Sequence, residues 1–181
     1  MTICVFCGSG TGNHPVYAEA ARELGAILAK NNHSLVYGGG NIGLMGILAD
    51  SVLEHGGEVI GVIPQFLVNR EVGHHGVTRL EIVQSMHERK KRMADLSDAF
   101  IAMPGGWGTL DELAEILTWG QLGIVNQPVG LLNTNKFFEP LMAQMNHMVK
   151  EGFLRNENLQ KLIIRSEPSI LLDSIIPQHG L

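Results

Sequence analysis

Three times along this chain a short apolar, β-branched run breaks off into a cluster of glycines, and each time a helical pattern follows. Residues 2–7 read as a buried strand leading into Gly8-Ser9-Gly10-Thr11-Gly12. Asn13 then serves as the expected helix cap, with Pro15 near the first turn of a helix running to about Asn31. Residues 34–37 repeat the device, leading into Gly38-Gly39-Gly40-Asn41-Ile42-Gly43-Leu44-Met45-Gly46 and a helix that stops near His55 at Gly56-Gly57. Residues 99–103 lead into Pro104-Gly105-Gly106-Trp107-Gly108 and a helix from Thr109 to about Leu122. Further strands are predicted over 58–63, 81–83, 129–132 and 162–164, with helices over 86–96, 137–151 and 169–174. Residues 64–78 show no clear period and make a candidate lid or edge loop.

Apolar strands alternating with helices require a mostly parallel sheet covered on both faces, because the crossovers place the helices there. The expected fold is therefore α/β, a doubly wound sheet forming a single domain over all 181 residues. Ligands of such sheets bind outside the carboxyl ends of the strands, where glycine loops and helix N-termini gather.

Hydrophobic residues make up 45% of the chain, enough for a packed interior. The net charge of −5 repels polyanions, so no nucleic-acid partner is expected. No apolar run approaches the roughly 20 residues of a membrane span, and the N-terminus lacks a signal-peptide pattern. The expected location is cytoplasmic, with no membrane partner. Cys4 and Cys7 match a C-x-x-C pattern, but strand alternation points them to opposite faces, which suits small core residues better than a redox or metal pair. His74 and His75 have no carboxylate cluster nearby and are read as exposed; no metal and no cofactor are expected.

Glycine lets a ligand approach the backbone closely, and free N–H groups at a helix N-terminus attract phosphate. Three such loops point to a phosphorylated ligand, with Gly8, Ser9, Gly38, Gly39, Gly40, Gly105, Gly106 and Gly108 as candidate contacts. The P-loop pattern is absent, and Gly8-Ser9-Gly10-Thr11-Gly12-Asn13 lacks the third glycine of the dinucleotide fingerprint.

The run His87-Glu88-Arg89-Lys90-Lys91-Arg92 splits by helical geometry. Glu88 with Arg92, and Lys91 with Asp95, make i,i+4 pairs on a wet face. Met86, Arg89, Lys90 and Met93 share the apolar face, so Arg89 and Lys90 point inward, where each needs a distant carboxylate or a bound phosphate. Thr109-Leu110-Asp111-Glu112 reads as a capping box, which puts Glu112 in the first helical turn and keeps it ionised, suited to a base or a cation stabiliser.

Pro104-Gly105-Gly106-Trp107-Gly108-Thr109-Leu110-Asp111-Glu112 resembles the PGGxGTxxE signature of the LOG (Lonely Guy) family, cytokinin riboside 5′-monophosphate phosphoribohydrolases once widely mislabelled lysine decarboxylases. Gly38-Gly39-Gly40, Gly43-Leu44-Met45-Gly46 and Met86-His87-Glu88-Arg89-Lys90 extend the similarity over nearly the whole chain. The resemblance implies a homodimeric, Rossmann-like enzyme. Its implied reaction is hydrolysis of the N-glycosidic bond of a cytokinin riboside or adenosine 5′-monophosphate, a nucleoside monophosphate substrate, to free base and ribose 5-phosphate. It further implies catalytic roles for Arg89 and Glu112, and nucleotide contacts at Gly8, Ser9, Glu71, Arg89, Lys90, Gly105, Gly106, Trp107, Gly108, Thr109, Leu110, Asp111 and Thr118. Departures from the pattern are Asn69-Arg70-Glu71 in place of Pro-Arg-Glu, Gly10 where a second serine is common, and Trp107 in the variable slot. Trp107 either stacks on a base or packs the loop. The alternative function is a nucleotide-binding sensor without turnover. Amino-acid decarboxylation would need a cofactor-linked lysine, and no pocket loop offers one.

Overall fold

The computed structural model describes residues 1–68 and 73–176. Its strands are β1 (Thr2–Phe6), β2 (Ser34–Tyr37), β3 (Val59–Pro64), β4 (Arg79–Val83), β5 (Ala99–Ala102), β6 (Val129–Leu132) and β7 (Leu162–Arg165). Its helices are α1 (Val16–Lys30), α2 (Gly43–Glu54), α3 (Gln65–Val68), α4 (Met86–Asp95), α5 (Trp107–Gln121), α6 (Glu139–Lys150), α7 (Asn156–Leu159) and α8 (Pro168–Ile175), with a 3₁₀ turn at Thr134–Lys136.

The seven strands form one sheet in the order β4-β3-β2-β1-β5-β6-β7, and every pairing is parallel. β1 sits where the winding reverses, with Cys4 opposite Val36 of β2 on one side and Phe100 of β5 on the other. This topological switch point opens a crevice at the carboxyl ends of β1 and β5, and the loops after those strands border it. The α/β, doubly wound expectation holds, and the sheet is more uniformly parallel than predicted.

The two sheet faces bury separate cores. On one, Leu24 and Leu28 of α1, Leu48 and Val52 of α2, and Leu171 and Leu172 of α8 pack on Ile3, Val5, Leu35 and Ile101. On the other, Met93 of α4, Leu113 and Ile116 of α5, and Phe138 pack on Cys4, Val36, Val62 and Phe100. Cys4 and Cys7 fall in opposite cores, as strand alternation requires, and both are buried free thiols.

Several expectations are corrected. Asn13 does not cap α1: the helix starts at Val16, and the ring Nδ1 of His14 accepts the Val16 N–H at 3.2 Å. α5 begins at Trp107, with Gly106 in the cap position, rather than at Thr109. Part of the irregular stretch 64–78 is structured: α3 follows β3 directly, and Gly73 bridges Gly40 while the His74 N–H donates to the Gly39 carbonyl at 2.9 Å. α7 and α3 are single turns too short to leave a periodic signature. Among the described residues no helix is long and apolar enough to cross a membrane.

Candidate active site

The three glycine loops meet at the switch point but do different work. The first and third touch backbone to backbone: the Gly8 N–H donates to the Pro104 carbonyl at 3.1 Å, and a Cβ on Gly8 would sit 3.2 Å from the Gly105 Cα. Only glycines allow that approach. In the second loop the N-terminus of α2 is already occupied, since the Leu44 N–H donates to the carbonyl of Gly8 at 3.0 Å. The carbonyls of Gly38 and Gly39 accept hydrogen bonds from Arg89 and His74. Gly38, Gly39 and Gly40 are buried, and the carbonyls of the first two are engaged within the fold.

The N-terminus of α5 is different. Its first residues, Trp107, Gly108 and Thr109, line the crevice at a helix start whose cap, Gly106, supplies no side chain to the first N–H groups. Thr109 is buried beneath Gly105 and forms no cap. Because the helix starts two residues earlier than the capping-box reading required, Glu112 lies in the second turn and not the first.

Glu112 and Arg89 line one cavity with Val5, Phe6, Cys7, Gly8, Ser9, Gly38, Met45, Gly106, Trp107, Gly108 and Thr109, about 150 Å³ in volume. Arg89 is 5% exposed; its Nε donates to the Val62 carbonyl at 3.1 Å and its Nη2 to the Gly38 carbonyl at 2.6 Å. The inward orientation read from its helical position is therefore realised. Glu112 is partly buried, and its field is felt at the cavity floor: the Cys7 thiol is pushed well above its ordinary range, first by burial and then by the Glu112 charge. Cys7 is thus a neutral thiol, not a nucleophile. Cys7 and Met45 are cavity residues that the sequence did not offer as site residues, although one lies in the C-x-x-C pattern and the other in Gly43-Leu44-Met45-Gly46; both follow from position, one just after β1 and one in the first turn of α2.

A second cavity, about 310 Å³, adjoins the first across Gly8, Ser9 and Gly106. Gly10, Thr11, Gly12, Tyr17, Leu44, Pro104, Gly105 and Phe137 also line it, and among the described residues its lining contains no charged side chain.

The remaining expected contacts differ in their surroundings. Lys90 takes the carboxylate alternative: it pairs with Asp111 at 3.1 Å and Glu115 at 2.8 Å, tying α4 to α5. Burial disfavours its charge, but the hydrogen bonds it donates to the Glu115 and Asp111 carboxylates outweigh that and raise the ammonium pKa. Leu110 packs on the core beneath α5. Thr118 donates to the Ala114 carbonyl at 2.7 Å and borders an apolar groove with Leu117, Leu141, Met145, Met148 and Phe153. Glu71 lies outside the described residues. Trp107 does not pack the loop; it is 88% exposed at the cavity rim.

Two other expectations fail. The predicted Glu88–Arg92 pair is replaced: Arg92 reaches Glu81 on β4 at 2.6 Å, and Glu88 accepts the Gln84 N–H while its own N–H donates to the Ser85 hydroxyl, a capping arrangement at the start of α4. The Lys91–Asp95 pair forms as expected. His74 is buried rather than exposed, because its Nε2 meets Asp50 at 2.9 Å and its Nδ1 accepts the Gly76 N–H. Among the described residues no cluster of His, Cys, Asp or Glu has the spacing of a metal site.

A family model described as "possible lysine decarboxylase" matches residues 45–175. Among curated proteins, the Arabidopsis thaliana cytokinin riboside 5′-monophosphate phosphoribohydrolase is 48% identical over 98% of this chain and 84% of its own length. A probable rice enzyme of the same name is 50% identical over 92% of this chain and 74% of its own. The Rhodococcoides fascians enzyme of that name is 44% identical over 90% and 83%. Of solved structures, a molybdenum cofactor binding protein from Rippkaea orientalis superposes with a TM-score of 0.72 at 24% identity, covering 96% of this chain and 94% of that one. That likeness shows the shared fold alone.

Proposed function

The chain belongs to the family described as possible lysine decarboxylase, its curated relatives being cytokinin riboside 5′-monophosphate phosphoribohydrolases, and we propose on that premise that it is a nucleotide N-glycosidase. It hydrolyses a nucleoside 5′-monophosphate with an adenine-type base, a cytokinin riboside or adenosine 5′-monophosphate, to free base and ribose 5-phosphate. The observation that carries the reading is the convergence of Arg89 and Glu112 in one cavity with the glycine loops and the open start of α5. The family description notwithstanding, the linings of the two glycine cavities include no lysine to hold a decarboxylation cofactor.

In this reading the 5′-phosphate lies against the backbone N–H groups of residues 9–12 and 105–106, near the positive end of α5. The ribose enters the smaller cavity. As the bond from C1′ to the base nitrogen breaks, its electron pair leaves with the base and C1′ gains oxocarbenium character, which the Glu112 carboxylate stabilises. A water oxygen bonds to C1′ and gives its proton to Glu112; the base takes a proton from solvent, and Glu112 returns its own to solvent. Arg89, fixed by the Gly38 and Val62 carbonyls, holds the phosphate or a ribose hydroxyl by hydrogen bonding and restrains the carboxylate.

We further propose a homodimer through the apolar groove between α5 and α6, where Phe153 is 86% exposed. That face carries Thr118, which lies away from the chain's own cavity. A cytoplasmic location fits two buried thiols that remain unpaired. The test of the activity is release of ribose 5-phosphate from AMP, other nucleoside monophosphates and N6-isopentenyladenosine monophosphate by purified protein. Binding without release would mark a sensor instead.

A further inference from the structure

The cavity holding Arg89 and Glu112, about 150 Å³, is too small for a whole nucleotide; sites that bury an entire small ligand run to roughly 300–1,000 Å³. Its neighbour across Gly8 and Gly106 is lined by the loops assigned to the phosphate. With the phosphate on that side and C1′ beside Glu112, the base is left at the rim, and the large side chain at the rim is Trp107.

Trp107 is the first residue of a 15-residue helix, so its backbone is fixed while its side chain is bare. It is 88% exposed, whereas Trp119, three turns along the same helix, packs partly against the core. The flanking residues Gly106 and Gly108 have open space where a side chain would stand, so nothing at either side blocks a planar group from the indole face. An indole left bare beside a reaction centre gains nothing for folding, because its apolar surface stays in water. Covering it with a nucleobase removes two apolar faces from water together.

We infer that Trp107 is the platform on which the nucleobase stacks, and so a residue that selects for the base rather than for the sugar phosphate. The inference rests on the nucleotide reading of the site, though not on turnover. Stacking on an aromatic face tolerates many bases, so Trp107 favours a purine over a bare sugar without reading its hydrogen-bonding edge. An N6 substituent projects past the indole toward solvent or a second subunit.

Fluorescence titration tests this, with Trp119 supplying the residual signal. In Glu112→Gln protein, where AMP persists, AMP should quench the Trp107 emission and ribose 5-phosphate should not. Trp107→Ala in the same background should weaken AMP binding about tenfold or more, Trp107→Phe should retain most of the affinity, and neither should change the affinity for ribose 5-phosphate, measured by calorimetry. Equal effects on AMP and ribose 5-phosphate, unchanged AMP affinity in Trp107→Ala, or conversion of a dimer to a monomer by that substitution would each overturn the inference. Quenching by AMP in a wild-type protein that releases no ribose 5-phosphate would leave the platform standing and reject the hydrolysis. Release of ribose 5-phosphate by wild-type protein with AMP affinity unchanged in Trp107→Ala would do the reverse.

Discussion

The Arg89 guanidinium donates to the Gly38 carbonyl oxygen at 2.6 Å, so the first residue of the second glycine loop fixes the side chain of a residue 51 positions later. A Cβ added at Gly38 would overlap that same Nη2 atom and lie 3.1 Å from the Met45 sulfur. Gly38→Ala should therefore displace Arg89 without unfolding the sheet. Its kcat/KM should fall by about 100-fold, the scale of a misplaced active-site group, with far-UV circular dichroism unchanged. Activity within a few-fold of the parent would show that the position of Arg89 does not matter.

Gly43 is a stability position. Its φ is +63°, and a Cβ there would collide with the backbone of Ser9. Gly43→Ala should cost about 1–3 kcal/mol from backbone strain, a Tm decrease of about 2–10 °C in a domain of this size, and should disturb the first glycine loop. Differential scanning calorimetry reads the shift directly.

Acid stability should depend on Glu81. Its hydrogen bond and ion pair with Arg92 hold the carboxyl below the usual glutamate range. The folded pKa is lower than the unfolded value of about 4.3, so the unfolded chain binds the proton first. The contribution is present above that value and disappears as pH falls through the folded pKa. The Tm gap between wild type and Glu81→Gln should close as pH drops from 6 toward 3. A gap that widens instead contradicts the pairing.

The proposed dimer predicts a light-scattering mass near twice the 19.7 kDa chain. Phe153→Asp, placing a charge in the groove, should shift it toward the monomer; a monomeric parent would refute the assembly.

Much of the fold was legible because strands buried on both faces read as unbroken apolar runs and glycine clusters mark where they end. The inward side of α4 was legible from the spacing of Met86, Arg89 and Met93. What escaped depends on contacts across the sheet. Nothing in the local sequence tells Glu88 that Arg92 prefers Glu81 on β4, or tells Lys90 that Asp111 and Glu115 stand opposite. The capping-box reading of Thr109 failed because the hydroxyl packs under Gly105, so the helix starts at Trp107 with a glycine as its cap. His74 appeared exposed because its partner, Asp50, lies on another element.

The most direct test measures ribose 5-phosphate release from AMP by Glu112→Gln, which keeps the shape of the side chain and removes its charge. The account predicts a kcat lower by about 100- to 10,000-fold with AMP affinity nearly unchanged. Release at close to the parent rate would contradict it, because the carboxylate facing the ribose would then have no part in breaking the bond.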